Sequence, residues 1–318
     1  MKRDTGIDII KFIAALLITN SHMDAQYPQG LTFLATGGAI GDALFFFCSG
    51  FTLFLKPMER FDLWYKKRIN RIYPTVFAKA ILFALIFNIH TDIYDTIVNG
   101  GGWFVSCIMI YYIIAYIIDK LMSKHLYISF AITSIITIIA YSLWEKPDNF
   151  NIYGNTYFKW VFFFLFMLQG AIIGKKQTSV GGKKSLLFLL PCIIIYYAMV
   201  IISSRYTNIN DIQLVTLVPL LGITYFTYTL SNCNKAKQLF TNKKINTIVM
   251  LIGGLCLEIY LIQRPLLKID LGIPYPANYI LTLTMIIVGA YILRCCARIF
   301  SQTFSKQDYN WKEIFKIL

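Results

Sequence analysis

Long apolar stretches alternate with short polar segments along almost the whole 318-residue chain. Most stretches are close to the roughly 20 residues that a helix needs to cross a bilayer. We predict an all-α integral membrane protein, a bundle of about ten transmembrane helices. The predicted spans are roughly 6–23, 38–55, 74–90, 103–121, 126–144, 157–174, 184–203, 213–230, 247–267 and 278–300.

Composition supports this fold class. Hydrophobic residues make up 57% of the chain and charged residues 14%, and the mean hydropathy is +0.59, whereas a soluble domain carries about 25% charged residues. We therefore expect a single transmembrane domain over 1–318, placed as a multi-pass protein in the inner (plasma) membrane. Residues at about 301–318 are predicted to form an amphipathic cytoplasmic tail. Its expected membrane anchors are Trp311, Ile314, Phe315 and Ile317.

The positions of Lys and Arg predict the orientation. With the N- and C-termini cytoplasmic, 23 of the 30 cations fall on the cytoplasmic side and 5 on the opposite side. Cytoplasmic loops characteristically carry this excess. The net charge of +14 is then an orientation signal and a contact for anionic lipid headgroups, so we expect membrane lipid and no nucleic acid as a partner.

The seven cysteines predict neither a metal site nor a disulfide framework. Most of them fall within predicted spans, and none of their spacings is typical of metal ligands. We expect no metal and no permanently bound cofactor.

The first span carries a polar stripe. Lys11 and His22 are eleven residues apart, which on a helix places them about 20° from the same face and about 16 Å apart along the axis. Asp8 shares that face. Because a charge facing lipid is costly, the stripe is predicted to face a bundle interior or a wet cavity.

Arg68 and Arg71 are three residues apart in a segment predicted to be an interfacial helix from Phe61 into the third span. Two guanidinium groups on one face can bind phosphate oxygens. They can also belong to the positive inner surface that contacts anionic lipid, and spacing alone favours the lipid contact.

Three other positions are notable. Trp103 follows three glycines, which predicts close backbone approach, around a ligand or simply at an interfacial anchor. Glu258 is a carboxylate inside a predicted span, where such groups are rare and usually functional or paired. Tyr260 adds a hydrogen-bonding group near the outer end of the same span.

In order and spacing, these residues resemble the acyltransferase-3 family, the membrane-bound O-acetyltransferases of bacterial surface polysaccharides. Two positions depart from the family pattern: Lys11 replaces an Arg, and Gln263 replaces a His, so we assign no proton-transfer role to Gln263. The matching segments are Gly6-Ile7-Asp8 with Lys11 and His22, Phe45-Phe46-Phe47-Cys48-Ser49-Gly50-Phe51, Arg68-Ile69-Asn70-Arg71-Ile72-Tyr73-Pro74, Trp103-Phe104 and Ile259-Tyr260-Leu261-Ile262.

The resemblance implies transfer of an acetyl group from acetyl-CoA, entering from the cytoplasm, to a hydroxyl of a surface polysaccharide or lipid-linked glycan. An imidazole titrates near working pH, so His22 is the implied general base or acyl relay. Lys11 and Asp8 are implied to orient polar groups and stabilise charge. The implied acyl-CoA-binding residues are Arg68, Arg71, Tyr73 and Ser49, and the candidates for the acceptor site or cavity wall are Trp103, Glu258 and Tyr260.

Two alternatives stay open. Polar stripes also line transport paths, so a transporter or flippase of a glycan or small solute is the competing class. No paired broken helices and no inverted halves are evident in the sequence, which weighs against it. An acyl group other than acetyl, such as succinyl, and a homo-oligomeric state are also compatible with the sequence.

Overall fold

A computed structural model describes residues 4–147, 150–176, 182–206 and 211–317. The protein is 76% helical, and these residues contain no strand, so the all-α prediction is confirmed. Lys2 and Arg3, two of the cations used to predict the orientation, lie outside the described residues.

Fifteen helices follow one another in the described ranges, and two short 3-10 helices, Asp24–Gln26 and Thr32–Leu34, lie between the first two. They are α1 (Thr5–Asn20), α2 (Gly38–Leu53), α3 (Phe61–Phe87), α4 (Ile93–Val98), α5 (Gly102–Met122), α6 (Leu126–Leu143), α7 (Lys159–Lys176), α8 (Gly182–Arg205), α9 (Ile212–Val215), α10 (Leu217–Ser231), α11 (Asn234–Leu239), α12 (Lys243–Gly254), α13 (Cys256–Leu266), α14 (Ala277–Thr303) and α15 (Trp311–Ile314).

Each predicted span overlaps at least one of these helices, but the count of ten spans is not confirmed. In the part of the chain that the structure describes, seven helices are long and apolar enough to cross a membrane, or eight if the bent pair α12 and α13 is one span. Helix α1 has only 16 residues, whereas α2 and α10 are counted together with the short helices that precede them, as Thr32–Leu53 and Ile212–Ser231. Helix α7 has lysines at both ends. Helix α1 is therefore too short for a membrane span by this measure, and α7 carries too many charges.

The ninth predicted span is broken. Helices α12 and α13 meet at an angle of 71° around Leu255. We expected one continuous span over 247–267, and the structure corrects this. The break follows Gly253-Gly254, two residues that stabilise a helix less than any other except proline.

Helix α3 is one continuous helix from Phe61 to Phe87, with Pro74 inside it. The predicted interfacial segment and the third span are therefore a single element. A side chain in the N-terminal half of α3 and one in its C-terminal half are consequently held at a spacing that the helix itself sets.

The chain forms two compact units. The first comprises Met1–Ala14, Ala39–Pro57 and Ile117–Asn246. In it, α2 and α7 approach so closely that a Cβ on Gly50 would overlap the Met167 carbonyl, and one on Gly170 would overlap the Phe47 carbonyl. Small residues permit this kind of backbone contact between membrane helices.

The second unit comprises Ala15–Gly38, Met58–Tyr116 and Thr247–Leu318. Helix α14 packs against both α3 and α13. The rings of Phe77 and Phe300 stack with centroids 5.5 Å apart where α3 meets α14.

The predicted amphipathic tail is shorter than expected. Helix α14 continues to Thr303, and α15 is a single turn, Trp311–Ile314. Ile314 is fully buried, so it is not a membrane anchor, whereas Trp311 and Phe315 are more than half exposed. The burial has a local cause, because Arg298 donates a hydrogen bond to the Ile314 carbonyl oxygen at 3.0 Å and holds the turn against α14.

Candidate active site

His22 lies just beyond the end of α1. The helix ends at Asn20, and the His22 N–H donates to the Thr19 carbonyl oxygen at 3.0 Å, a tighter turn than the α-helix. The expectation of a helix through Met23 is therefore corrected. The cause is the Asn20 carboxamide, whose nitrogen donates to the carbonyl oxygens of Leu34 at 2.7 Å and Thr36 at 3.0 Å and ties the helix end to the following loop.

Two tyrosines complete the anchoring of Asn20. Its carboxamide oxygen accepts hydrogen bonds from the Tyr27 hydroxyl at 2.7 Å and the Tyr279 hydroxyl at 3.0 Å. The 3-10 turn after His22 is also held, because Asn278 donates to the Gln26 carbonyl oxygen at 2.9 Å. The backbone on both sides of His22 is thus fixed to α14.

His22 lines a cavity of about 790 Å³ within the second unit. This volume is in the range of small-molecule sites, about 300–1,000 Å³. Its apolar wall includes Val76, Phe83 and Phe87 of α3. Its charged lining residues are Asp24, Lys79, Arg264 and Lys268.

Lys79 is a cation of α3 that lies between these wall residues in sequence and was not among the predicted site residues. It is half-buried, its ammonium donates to the Gly100 carbonyl oxygen at 2.6 Å, and it lies 5.1 Å from the centroid of the Phe83 ring. An ionisable residue within a span is a functional candidate by default. The signal was therefore present as a lysine inside an apolar run.

Arg68 is held by aromatic rings. Its guanidinium carbon lies 5.1 Å from the centroid of the Trp64 ring and 5.7 Å from that of Tyr112. Its Nε is buried and has no hydrogen-bond partner in the described structure. Arg71, one turn further along α3, is exposed. The rings orient a guanidinium that retains donor capacity for an anion.

Arg68 and Lys79 lie on nearly the same face of α3. Eleven residues separate them, which on one helix means about 20° around the axis and about 16 Å along it. Arg68 and Lys79 therefore have, within α3, the same eleven-residue spacing that Lys11 and His22 have in the predicted first span. One of these cations lies between aromatic rings and the other lines the cavity of His22.

Tyr73 lies between these two positions in sequence and contacts backbone. Its hydroxyl donates to the Ile97 carbonyl oxygen at 3.2 Å and so fastens α4 to α3. The hydroxyl of Tyr73 therefore has a hydrogen-bond partner within the protein and does not need a ligand to provide one.

Trp103 and Tyr260 both contact Phe104. The ring centroids of Trp103 and Phe104 are 6.0 Å apart, and those of Phe104 and Tyr260 are 5.6 Å apart. Gly102, at φ +66°, leaves no room for a Cβ, because such an atom would lie 2.7 Å from the Tyr260 hydroxyl. The close backbone approach predicted for the glycine run is present here.

Glu258 is buried in an ion pair. Its carboxylate accepts hydrogen bonds from Arg294 Nε at 3.1 Å and Nη2 at 3.0 Å. Arg294 also donates to the Gly254 carbonyl oxygen at the break between α12 and α13. The pair therefore stabilises the break between α12 and α13. Gln263, which is 1% exposed in α13, has a side-chain oxygen without a hydrogen-bond partner in the described structure.

The other predicted site residues lie in the first unit. Asp8 is buried and Lys11 half-buried in the N-terminal part of α1, and Ser49 is half-buried in α2. A role for these three residues beside His22 stays a prediction. Within the described ranges, no group of three or more His, Cys, Asp or Glu side chains is arranged to hold a metal ion.

Comparison with known proteins gives one match. The family model for the acyltransferase domain matches residues 4–296, which is essentially the whole chain. No curated protein sequence and no solved structure matches.

Proposed function

The chain belongs to the membrane acyltransferase family whose domain it matches over residues 4–296, and from this we propose that it transfers an acetyl group from acetyl-CoA to a glycan hydroxyl. The acceptor would be a surface polysaccharide or lipid-linked glycan at the inner membrane. Family membership favours this proposal over the transporter alternative.

His22 is the proposed reacting group. In direct transfer, the imidazole takes the proton of the acceptor hydroxyl as that oxygen attacks the thioester carbonyl carbon. The carbon–sulfur bond breaks, and the thiolate of CoA takes the proton back from His22. In the relay route, an imidazole nitrogen attacks first, the CoA thiol leaves, and the acetyl group passes from His22 to the acceptor oxygen.

The observation that carries the proposal is the position of His22 on a cavity that also contains Lys79. A cation that lines the same cavity would stabilise the negative charge that develops on the oxygen of the reacting carbonyl. The nucleotide of acetyl-CoA would bind at Arg68 and Arg71, with the pantetheine arm running along α3 towards Lys79. The aromatic support and the unpaired Nε of Arg68 favour this anion contact over a lipid contact.

The test is acetyl transfer by the His22→Ala variant. We expect glycan O-acetyl content to fall by about 100-fold or more, because general acid–base groups contribute that much. His90→Ala is the matched control, since His90 is exposed and its ring nitrogen forms a hydrogen bond with the neighbouring Asn88. Normal acetylation by His22→Ala at equal expression would reject the proposal.

A second measurement separates the two routes. Purified protein is incubated with acetyl-CoA labelled in the acetyl group, without acceptor. Label retained on wild-type protein and absent from His22→Ala supports the relay. Unlabelled protein that still acetylates added glycan supports direct transfer.

A further inference from the structure

The cavity beside His22 has more positive than negative charge. Lys79, Arg264 and Lys268 line it, and Asp24 is the one acidic side chain among its lining residues in the described structure. Lys79 comes from α3, whereas Arg264 lies in α13 and Lys268 in the loop that follows it, so Lys79 is distant in sequence from the other two and meets them only in the fold.

Asp24 does not neutralise these cations. Of the described residues, none forms an ion pair with Lys79, Arg264 or Lys268, whereas Glu258 and Arg294 pair within the same unit. Arg264 is close enough to Lys79 for their charges to repel each other.

Repulsion of this kind is expensive where lysine is half-buried against apolar side chains. The energy is recovered when an anion binds between the cations, because charge-assisted hydrogen bonds are about twice as strong as neutral ones. A neutral sugar can be bound through hydroxyl and amide partners, and the charges of Arg264 and Lys268 would then have no anion to balance them.

We propose that the glycan acceptor is anionic and carries a carboxylate or a phosphate close to the hydroxyl that is acetylated. This inference rests on the proposed function, because it takes His22 as the reacting group. Arg264 and Lys268 bind the anion, and this contact places the neighbouring hydroxyl at His22. The positive charge of Lys79 is then balanced by the anion of the acceptor together with the negative charge that develops on the thioester oxygen.

The phosphates of acetyl-CoA are the other possible source of an anion here. Arg68 offers them a separate site about 16 Å further along α3. The two sources can therefore be told apart by substitution. Replacing Arg264 and Lys268 should weaken binding of the acceptor, and replacing Arg68 should weaken binding of the donor.

The experiment measures binding, so that it does not depend on turnover. Wild-type protein and the double variant Arg264→Gln/Lys268→Gln are placed in lipid nanodiscs. Three hexyl glycosides are titrated by calorimetry: the neutral β-glucoside, the β-glucuronide with a carboxylate, and glucose joined to hexanol through a phosphodiester. Acetyl-CoA is titrated separately, and Arg205→Gln, an exposed arginine outside the cavity, is the matched control.

We expect at least one charged glycoside to bind wild type about tenfold or more tightly than the neutral one, and the preference to vanish in the double variant. Acetyl-CoA affinity should be unchanged in that variant, and Arg205→Gln should bind like wild type. The carboxylate and phosphodiester probes tell which anion is preferred.

Two results would overturn the inference. One is no preference for either charged glycoside over the neutral one, including failure of all three to bind. The other is loss of acetyl-CoA affinity in the double variant with glycoside binding intact, which would assign the cations to the donor. Neither result bears on the proposed role of His22, which is tested separately by acetyl transfer in the His22→Ala variant.

Discussion

The Tyr279 hydroxyl donates a 3.0 Å hydrogen bond to the carboxamide oxygen of Asn20, across 259 residues of sequence. Asn20 is the last residue of α1, and His22 follows two residues later. Together with the bonds of Asn20 to Tyr27, Leu34 and Thr36, this bond holds the end of the helix and the backbone that leads to His22, which lines the cavity.

Removing this anchor should lower the rate of acetyl transfer without weakening donor binding. Asn20→Ala loses both amide contacts and both tyrosine contacts, and we expect kcat to fall about tenfold, because misplacing a reacting group by a fraction of a bond length is costly. Tyr279→Phe removes one hydrogen bond, worth about 1 kcal/mol of stability, and should have a smaller effect. Steady-state kinetics with acetyl-CoA and thermal unfolding in detergent provide the two measurements.

Tyr157→Phe is the control for Tyr279→Phe, since Tyr157 is exposed. An unchanged kcat in Asn20→Ala would show that the helix end does not position His22. A rise in the KM for acetyl-CoA with constant kcat would contradict the prediction in a different way, because it would place Asn20 at the donor site.

Arg68 should control donor affinity. We expect Arg68→Ala to weaken acetyl-CoA binding about tenfold, equivalent to about 1.4 kcal/mol, and Arg68→Lys to recover only part of it, because lysine lacks the planar guanidinium that stacks on Trp64. Binding is measured by calorimetry on solubilised protein. Lys66→Ala, an exposed cation of the same helix, controls for loss of charge alone, and equal effects of the Arg68 and Lys66 variants would return Arg68 to a lipid contact.

The pair formed by Glu258 and Arg294 should be structural. Glu258→Gln leaves the partly buried guanidinium of Arg294 without its counter-charge, a change that costs about 3–5 kcal/mol in a fully buried pair and less here. The double variant Glu258→Leu/Arg294→Met removes both charges and should be more stable than either single variant. Thermal unfolding in detergent compares them, and additive losses in the double variant would mean that the two side chains do not act as a pair.

Gly102 should tolerate a methyl group less well than Gly272 does. Both have positive φ, +66° and +62°, but a Cβ on Gly102 meets the Tyr260 hydroxyl, while one on Gly272 meets nothing within 4 Å. Each alanine substitution carries a backbone cost of about 1–2 kcal/mol, and only Gly102→Ala adds a clash. Unfolding measurements should find Gly102→Ala the less stable variant, partly rescued by Tyr260→Phe, with no rescue of Gly272→Ala by the same change.

The helices were largely predictable because hydropathy is a local property of the chain. The break after Gly254 was not, since it depends on Arg294, which lies 40 residues away and satisfies the freed Gly254 carbonyl. The end of α1 was missed for the same reason, because Asn20 is held there by the Leu34 and Thr36 carbonyl oxygens and by Tyr27 and Tyr279. In both cases residues further along the chain stabilise the point where a helix stops.

The candidate site was predictable only in part. His22 and Arg68 stand in recognisable motifs. Lys79 could have been selected as a charge within an apolar run, but it was not among the predicted site residues. Arg264 and Lys268 were counted only as cations of an outer loop, since nothing local shows that they meet Lys79. Their shared cavity is a product of packing between α3 and α13.

The continuity of α3 has a consequence for substrate choice. If the nucleotide is held at Arg68 and the thioester reacts near Lys79, one continuous helix sets the distance between the two ends of the donor. A thioester with a truncated carrier could not contact Arg68 and Lys79 at the same time, so it would lose turnover as well as affinity. The enzyme would then select its acyl donor by the length of the carrier, whatever the size of the acyl group.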